Sequence, residues 1–233
     1  MSAAAPARKK PLVILGTSAF AEVACEYFTV DSDYEVKAFA VERQYLDRAS
    51  LLGLPVVALE DLETHFPPAE VHVYAALVYT QMNRLRTRLL AIAKAKGFQP
   101  ASYVSSRATV WRNAQLGEHV FIMEGNNVQP FTSIGSNTVL WSGNHIGHHS
   151  TIEENCFISS HVVVSGFCRV GRNSFLGVNS SLGNNLTVGP DNWIGPGVAL
   201  TKDTGPAEIY KLEAPEPSRV TSLRFFKVPH GVA

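Results

Sequence analysis

Between Phe121 and Leu182 the chain reads FIMEGN NVQPFT SIGSNT VLWSGN HIGHHS TIEENC FISSHV VVSGFC RVGRNS FLGVNS SL, with an aliphatic residue second in every block of six. The series extends outward without a skipped beat, through Leu116, Val110 and Val104 on one side and Val188, Ile194 and Leu200 on the other. A period of six fits neither the 3.6 of a helix nor the 2 of a plain strand. It fits short strands joined by tight corners and stacked as a solenoid. Side chains alternate across a strand, so the aliphatic position i and position i−2 both point inward. Position i−2 is accordingly small, as at Ala108, Ala114, Thr132, Thr138, Ser150, Cys156, Cys168 and Ser174. Position i+3 is mostly Asn, Gly or Asp, from Asn113 and Gly125 to Gly197 and Asp203, the residues that tolerate positive φ at a corner.

This repeat resembles that of the hexapeptide-repeat family, whose left-handed parallel β-helices have three flat faces and about eighteen residues per coil. The left hand and the three-hexad coil come from the resemblance, since ordinary parallel crossovers are right-handed. With residues eighteen apart stacked, the outward i−1 positions of one face collect Phe121, Val139, Phe157, Phe175 and Trp193, with Met123 and Trp141 beside them. So large an apolar stripe is expected to be covered, and the resemblance makes its partner another subunit of a homotrimer.

The whole chain has 233 residues and a formal net charge of zero, which favours neither nucleic acid nor an anionic membrane as partner. No apolar run approaches a membrane span, and the basic residues of MSAAAPARKK are followed by no apolar signal core. Three cysteines argue against a disulfide framework, and a cytoplasmic location is expected. Residues 11–101 alternate apolar runs with helical patterns. Leu12–Leu15, Tyr34–Val41, Leu54–Val57 and Val71–Leu77 read as strands, and Ala19–Phe28, Leu59–His65 and Gln81–Lys96 as helices. That order predicts an α/β domain with a half-Rossmann parallel sheet, followed by the all-β helix of residues 102–205. Residues 1–10 are expected to be a disordered leader and 206–233 a tail outside the repeat.

Ligands of such sheets bind beyond the carboxyl ends of the strands. Gly16, Thr17 and Ser18 follow the first strand and open the first helix, where free amides suit a phosphate. Ala19, Phe20 and Ala21 replace the further glycines of the usual dinucleotide fingerprint. Glu42, just past the second strand, is placed for a ribose hydroxyl or for solvent.

From Pro11 to Lys202 the chain looks like one branch of the hexapeptide family, the nucleotide-sugar acetyltransferases of surface polysaccharide and glycan biosynthesis. The resemblance implies that the N-terminal domain holds a nucleotide-linked amino sugar through Gly16, Ser18 and Glu42, with Asn144 and His161 near the sugar. It implies acetyl-CoA in a groove between neighbouring β-helices, lined by Gly166, Gly177, Val178, Gly195, Gly197 and Lys202, and no metal.

The densest departure from the repeat is Asn144-His145-Ile146-Gly147-His148-His149. His119, His149 and His161 occupy corner positions, where histidine has a conformational reason to be. His145 is outward on a strand. His148 sits at i+2, where the repeat asks for no imidazole, and it matches the family's base histidine, with His149 in place of the usual acidic or polar neighbour. Acetyl transfer to an amine needs a group to take its proton and a donor for the oxyanion. An ordinary imidazole, with a pKa of about 6.5, is largely free to take that proton at neutral pH. Gly166, eighteen residues on, is expected to offer its backbone N–H to the oxyanion. His161, on a different corner, is expected to reach the site of a neighbouring subunit. Asn144, inward like Asn126 one coil earlier, reads as part of an asparagine ladder or as a substrate contact.

Sugar O-acetylation by the same residues stays open. A zinc hydro-lyase of the β-helical carbonic anhydrase type and a non-catalytic sugar-nucleotide scaffold are the rivals from other classes; the first leaves the α/β domain without a role.

Overall fold

The structure is a computed structural model that describes residues 9–229. Most of the expected leader, and residues 230–233 of the tail, lie outside the described residues; Lys10, assigned to the leader, already belongs to the first strand. The α/β domain consists of β1 (Lys10–Leu15), α1 (Ala19–Val30), β2 (Tyr34–Val41), β3 (Ser50–Leu51), β4 (Leu54–Ala58), α2 (Leu62–His65), β5 (His72–Ala75), α3 (Arg84–Ala95) and β6 (Gln99–Pro100). Its sheet runs β3-β4-β2-β1-β5-β6, parallel except for the β3–β4 pair. Alternation along β1 sends Leu12 and Ile14 toward α1 and Val13 and Leu15 toward α3, which is why the strand is apolar throughout. Helix α3 begins three residues later than its pattern predicts. Gln81, Met82 and Asn83 all have positive φ and form a turn before it.

From Tyr103–Val104 to Ala199–Leu200, two-residue strands recur every six residues and stack into three parallel sheets. Each residue pairs with the one eighteen further on, as in Phe121↔Val139, Asn127↔His145 and Ser133↔Thr151. These pairs define the first, second and third faces of a triangular prism. The i and i−2 side chains fill its interior, with Ile122, Ile146, Ile158, Val164 and Leu176 at 0% exposure. Cys156 and Cys168 are buried there as well, and burial pushes the Cys156 thiol up to about 12. Corners from His119 to Gly197 take positive φ as expected. Asn113 and Asp203, at the two ends, do not. Their carboxamide and carboxylate oxygens instead accept N–H bonds from Phe131 (3.2 Å) and Thr187 (2.8 Å). The tail adds one more rung, Ile209–Tyr210 beside Trp193–Ile194, so the helix continues past residue 205.

The apolar stripe is covered by the chain's own α/β domain, which corrects its assignment as a subunit interface. Phe121, Val139, Phe157 and Phe175 share one core with Phe20, Phe28 and Tyr74. Phe20 lies 5.5 Å from Phe121 and 5.7 Å from Trp141, and Tyr79 lies 4.4 Å from Phe175, ring centre to ring centre. Each buried ring contributes about 1.5–3 kcal/mol. The corner between the third and first faces docks along the end of β5, the turn before α3 and the start of α3, rung by rung. His119 Nε2 accepts the Ala75 N–H, Asn137 meets Arg86, Asn155 meets Thr87, the Asn173 carbonyl meets Asn83, and Asp191 pairs with Arg84.

Candidate active site

The corner between the second and third faces carries Phe131, His149, Phe167 and Asn185 at successive coils, all with positive φ. His148 precedes it on an exposed ledge. Its backbone N–H donates to Gln129 Oε1 at 2.9 Å, so the chain one coil earlier fixes its backbone. Its imidazole lies over Gly166, where a Cβ would come within 2.8 Å of Cε1 and 3.0 Å of Nε2. Gly166 is therefore what makes room for the ring. His148 Nδ1 is 3.1 Å from His149 Nδ1. The His149 ring is stacked between Phe131 (4.6 Å, 26°) and Phe167 (4.9 Å, 16°), and Phe167 also meets His148 edge to face at 5.1 Å. An imidazole on open surface with a nitrogen-bonded neighbour can take and return a proton.

The structure brings together His148, His149 and Gly166 and separates them from the other histidines. His119 is wholly buried against Tyr74, and burial, with the Arg86 guanidinium nearby, holds its pKa down at about 3. Its Nε2 accepts from Ala75, so its proton sits on Nδ1, 2.8 Å from Asn137 Oδ1. His145 is half-buried on the second face, and His161 lies at the corner between the first and second faces, its ring over Gly143.

Several expected roles do not survive the geometry. Gly166 N–H donates to Asn184 Oδ1 at 3.0 Å, so in this state it is not a free oxyanion donor. Asn144 is 1% exposed, its Nδ2 bonded to the Trp141 carbonyl and its Oδ1 to the Val162 N–H, which makes it a ladder residue and no sugar contact. Gly177 and Gly195 are buried, since a Cβ on Gly177 would strike Pro196 N at 2.6 Å and one on Gly195 the Trp193 ring at 2.8 Å. Their missing side chains serve the packing of one coil on the next. Val178, Gly197 and Lys202 are exposed, and Lys202 stands three coils from His148, about 14 Å along the axis.

At the head domain, Gly16 has φ +116° and donates its N–H to the Ala40 carbonyl, and a Cβ there would lie 3.1 Å from the Ala76 carbonyl. Its glycine is needed for chain crossing. Ser18 caps α1 by position, exposed and with no side-chain bond to the helix. The Glu42 carboxylate is held by both Arg88 terminal nitrogens, at 2.7 and 2.8 Å, and that bond keeps its pKa below the usual range. Arg88 takes one edge of this carboxylate, so a ribose hydroxyl would have to approach the lone pairs that the guanidinium leaves. Sequence reasoning missed Arg88 and the two phenylalanines around His149. Phe131 and Phe167 carried a signal, as bulky residues where the repeat puts Asn, Gly or Asp.

Residues 131–166 match the family model for the bacterial transferase hexapeptide, six repeats. No curated protein sequence matches significantly. Among solved structures, perosamine N-acetyltransferase from Caulobacter crescentus, in complex with CoA and GDP-perosamine, is 24% identical over 85% of this chain and 92% of its own, with a TM-score of 0.77. The acetyltransferase domain of PglB from Neisseria gonorrhoeae is 23% identical over 84% of this chain and 93% of its own, with a TM-score of 0.75. WeeI from Acinetobacter baumannii is 17% identical over 86% of this chain and 96% of its own, with a TM-score of 0.68. The chain carries the transferase hexapeptide repeat and has the fold of these proteins, an α/β domain at the head of a left-handed parallel β-helix.

Proposed function

We propose that the chain transfers an acetyl group from acetyl-CoA to the amine of a nucleotide-linked amino sugar, with His148 as general base. The observation that carries this reading is the exposed imidazole of His148 lying over Gly166 on the β-helix edge, beside His149. The fold supports it, since a solved structure of the same architecture holds CoA and GDP-perosamine. In the reaction the acceptor nitrogen attacks the thioester carbonyl, His148 takes a proton from it, and the thiolate of CoA leaves. The α/β domain is proposed to hold the nucleotide through the α1 amides at Ser18, and Lys202 to meet a phosphate of CoA.

A homotrimer belongs to the same proposal. His148 and His149 lie on open surface, so a groove that shields the thioester needs a neighbouring subunit, whose His161 would reach the acceptor sugar. A cytoplasmic location is proposed with it; among the described residues no helix is long and apolar enough to cross a membrane. The zinc reading has less support, because among the described residues no three His, Cys, Asp or Glu side chains gather to hold a metal.

The test is a screen of amino-sugar nucleotides with acetyl-CoA, following thiol release. Turnover with an amino-sugar nucleotide, giving a product stable to hydroxylamine, is expected for an amide. A hydroxylamine-labile product would mean an ester, and no thiol release from any member would overturn the proposal.

A further inference from the structure

Of the corner residues with positive φ from 119 to 197, all are His, Asn, Asp or Gly except Phe131 (φ 62°) and Phe167 (φ 60°). A bulky side chain is disfavoured in that region, and outliers of this kind gather where a function needs them. Core burial does not repay the strain, since the two rings are 61% and 54% exposed. What they share is His149, stacked between them at 4.6 and 4.9 Å.

The contact between the two Nδ1 atoms needs one proton, donated by one ring and accepted by the other. If His148 donates, its Nε2 is left unprotonated beside Gly166 and can act as a base. If His149 donates, the proton of a neutral His148 lies on Nε2 and the base is lost. Phenyl faces attract positive charge, so a clamp of two of them favours a proton arriving on His149. Other charges nearby do little to oppose this. The rungs 127–133 and 163–169 on either side carry no carboxylate, and Arg169 pairs with Glu153. Cys168 points inward, and His145 stands on the adjoining strand.

We propose that His149 is a positioning residue that accepts the Nδ1 proton of His148, its ring held for this by Phe131 and Phe167, so that Nε2 of His148 is the basic atom. This rests on the acetyltransferase reading only for the identity of the proton donor. As the amine N–H bond breaks and Nε2–H forms on His148, the Nδ1–H bond of His148 breaks and that proton binds His149 Nδ1, giving a cation between two phenyl faces. On collapse the proton on His149 returns to His148 Nδ1, and the one on Nε2 passes to the departing thiolate of CoA. A pair of imidazoles thus does what a histidine and a carboxylate do elsewhere.

The test is long-range proton–nitrogen NMR of the full-length protein labelled with 15N-histidine, titrated from pH 5 to 9, alongside Phe131→Leu/Phe167→Leu, which keeps the corner apolar, and His149→Asn. Wild-type His148 is expected as the Nδ1–H tautomer. Removing both rings is expected to shift His148 toward the Nε2–H tautomer and to lower kcat by about 10-fold or more, with KM unchanged. Wild-type His148 found with its proton on Nε2, or a tautomer indifferent to both phenylalanines, would overturn the proposal. The spectra need no substrate, so expected spectra without turnover on any sugar nucleotide would remove the acetyltransferase reading and uphold the histidine pair. Turnover with contrary spectra would do the reverse.

Discussion

Arg86 on α3 donates to the backbone carbonyl of Asn137 at 2.9 Å, and its guanidinium is wholly buried with no carboxylate against it. All five of its N–H groups are engaged instead by neutral oxygens, those of Asn137, Leu77, Val78, Asn83 and Cys156. Burial pulls its pKa down to about 10, which leaves it charged at neutral pH. This one side chain joins the α/β domain to two successive coils of the β-helix. Arg86→Leu strands those acceptors and is expected to cost roughly 2–4 kcal/mol, read from denaturant unfolding; a loss under half of one would contradict the role.

The stripe on the first face gives a second prediction. Phe157→Ala should destabilise the chain by about 3–5 kcal/mol and speed hydrogen exchange across the start of α3, because the ring is 2% exposed and packs on Tyr79 and the Arg86 guanidinium. Were the stripe a contact between subunits, the substitution would change the mass in solution and leave α3 protected.

For catalysis, His148→Asn is expected to reduce turnover by about 10² or more, the scale of a lost general base, while thermal unfolding stays as in the parent. Near-normal turnover would remove His148 from the role.

Gly166→Ala tests the fit of the imidazole more finely. The added methyl would sit 2.8 Å from His148 Cε1, the flexible end of a side chain, so the ring should move and the backbone should not. A fall in kcat of about 10–100-fold with an unchanged melting temperature is expected, and full activity would show that the ring is not where the proton is taken.

His119 makes stability depend on pH. Its folded pKa, about 3, lies below the ordinary 6.5, so the native state resists a proton that the unfolded chain accepts. Stability is full above about pH 6.5 and declines as pH falls toward about 3, by about 2 kcal/mol at pH 5 from this group. His72, its pKa also lowered by burial, acts in the same direction. His119→Gln should flatten the dependence of the denaturant midpoint between pH 4 and 6.5; an unchanged slope would contradict the assignment.

Much of the fold was legible because the β-helix writes its geometry into every sixth residue. Ile122, Ile146 and Leu176 are inside for the reason the period gave, and Asn137 and Asn155 turn the corners it assigned them. What covers an apolar face is not written there, since Phe121 and Phe157 would look the same against another subunit or against the chain's own α/β domain. The site was legible in part. The pattern singled out His148 and stacked Asn184 one coil beyond Gly166, but it does not say that the Asn184 side chain takes the Gly166 amide, and the grip of Arg88 on Glu42 is a contact that no local spacing reveals. The late start of α3 has a similar cause, because Asn83 is drawn into a left-handed turn by Asn173 and Arg86.

The docking of β5, α3 and the turn between them along five consecutive corners has an implication for how such chains can be recombined. Because residues 10–100 and the prism share rings, carbonyls and a buried cation, the two halves should melt as one and neither should be exchangeable like a cassette. A transplanted head would arrive without counterparts for Phe121, Asn137 and Asp191, and a new acceptor specificity would have to be carved into the resident one.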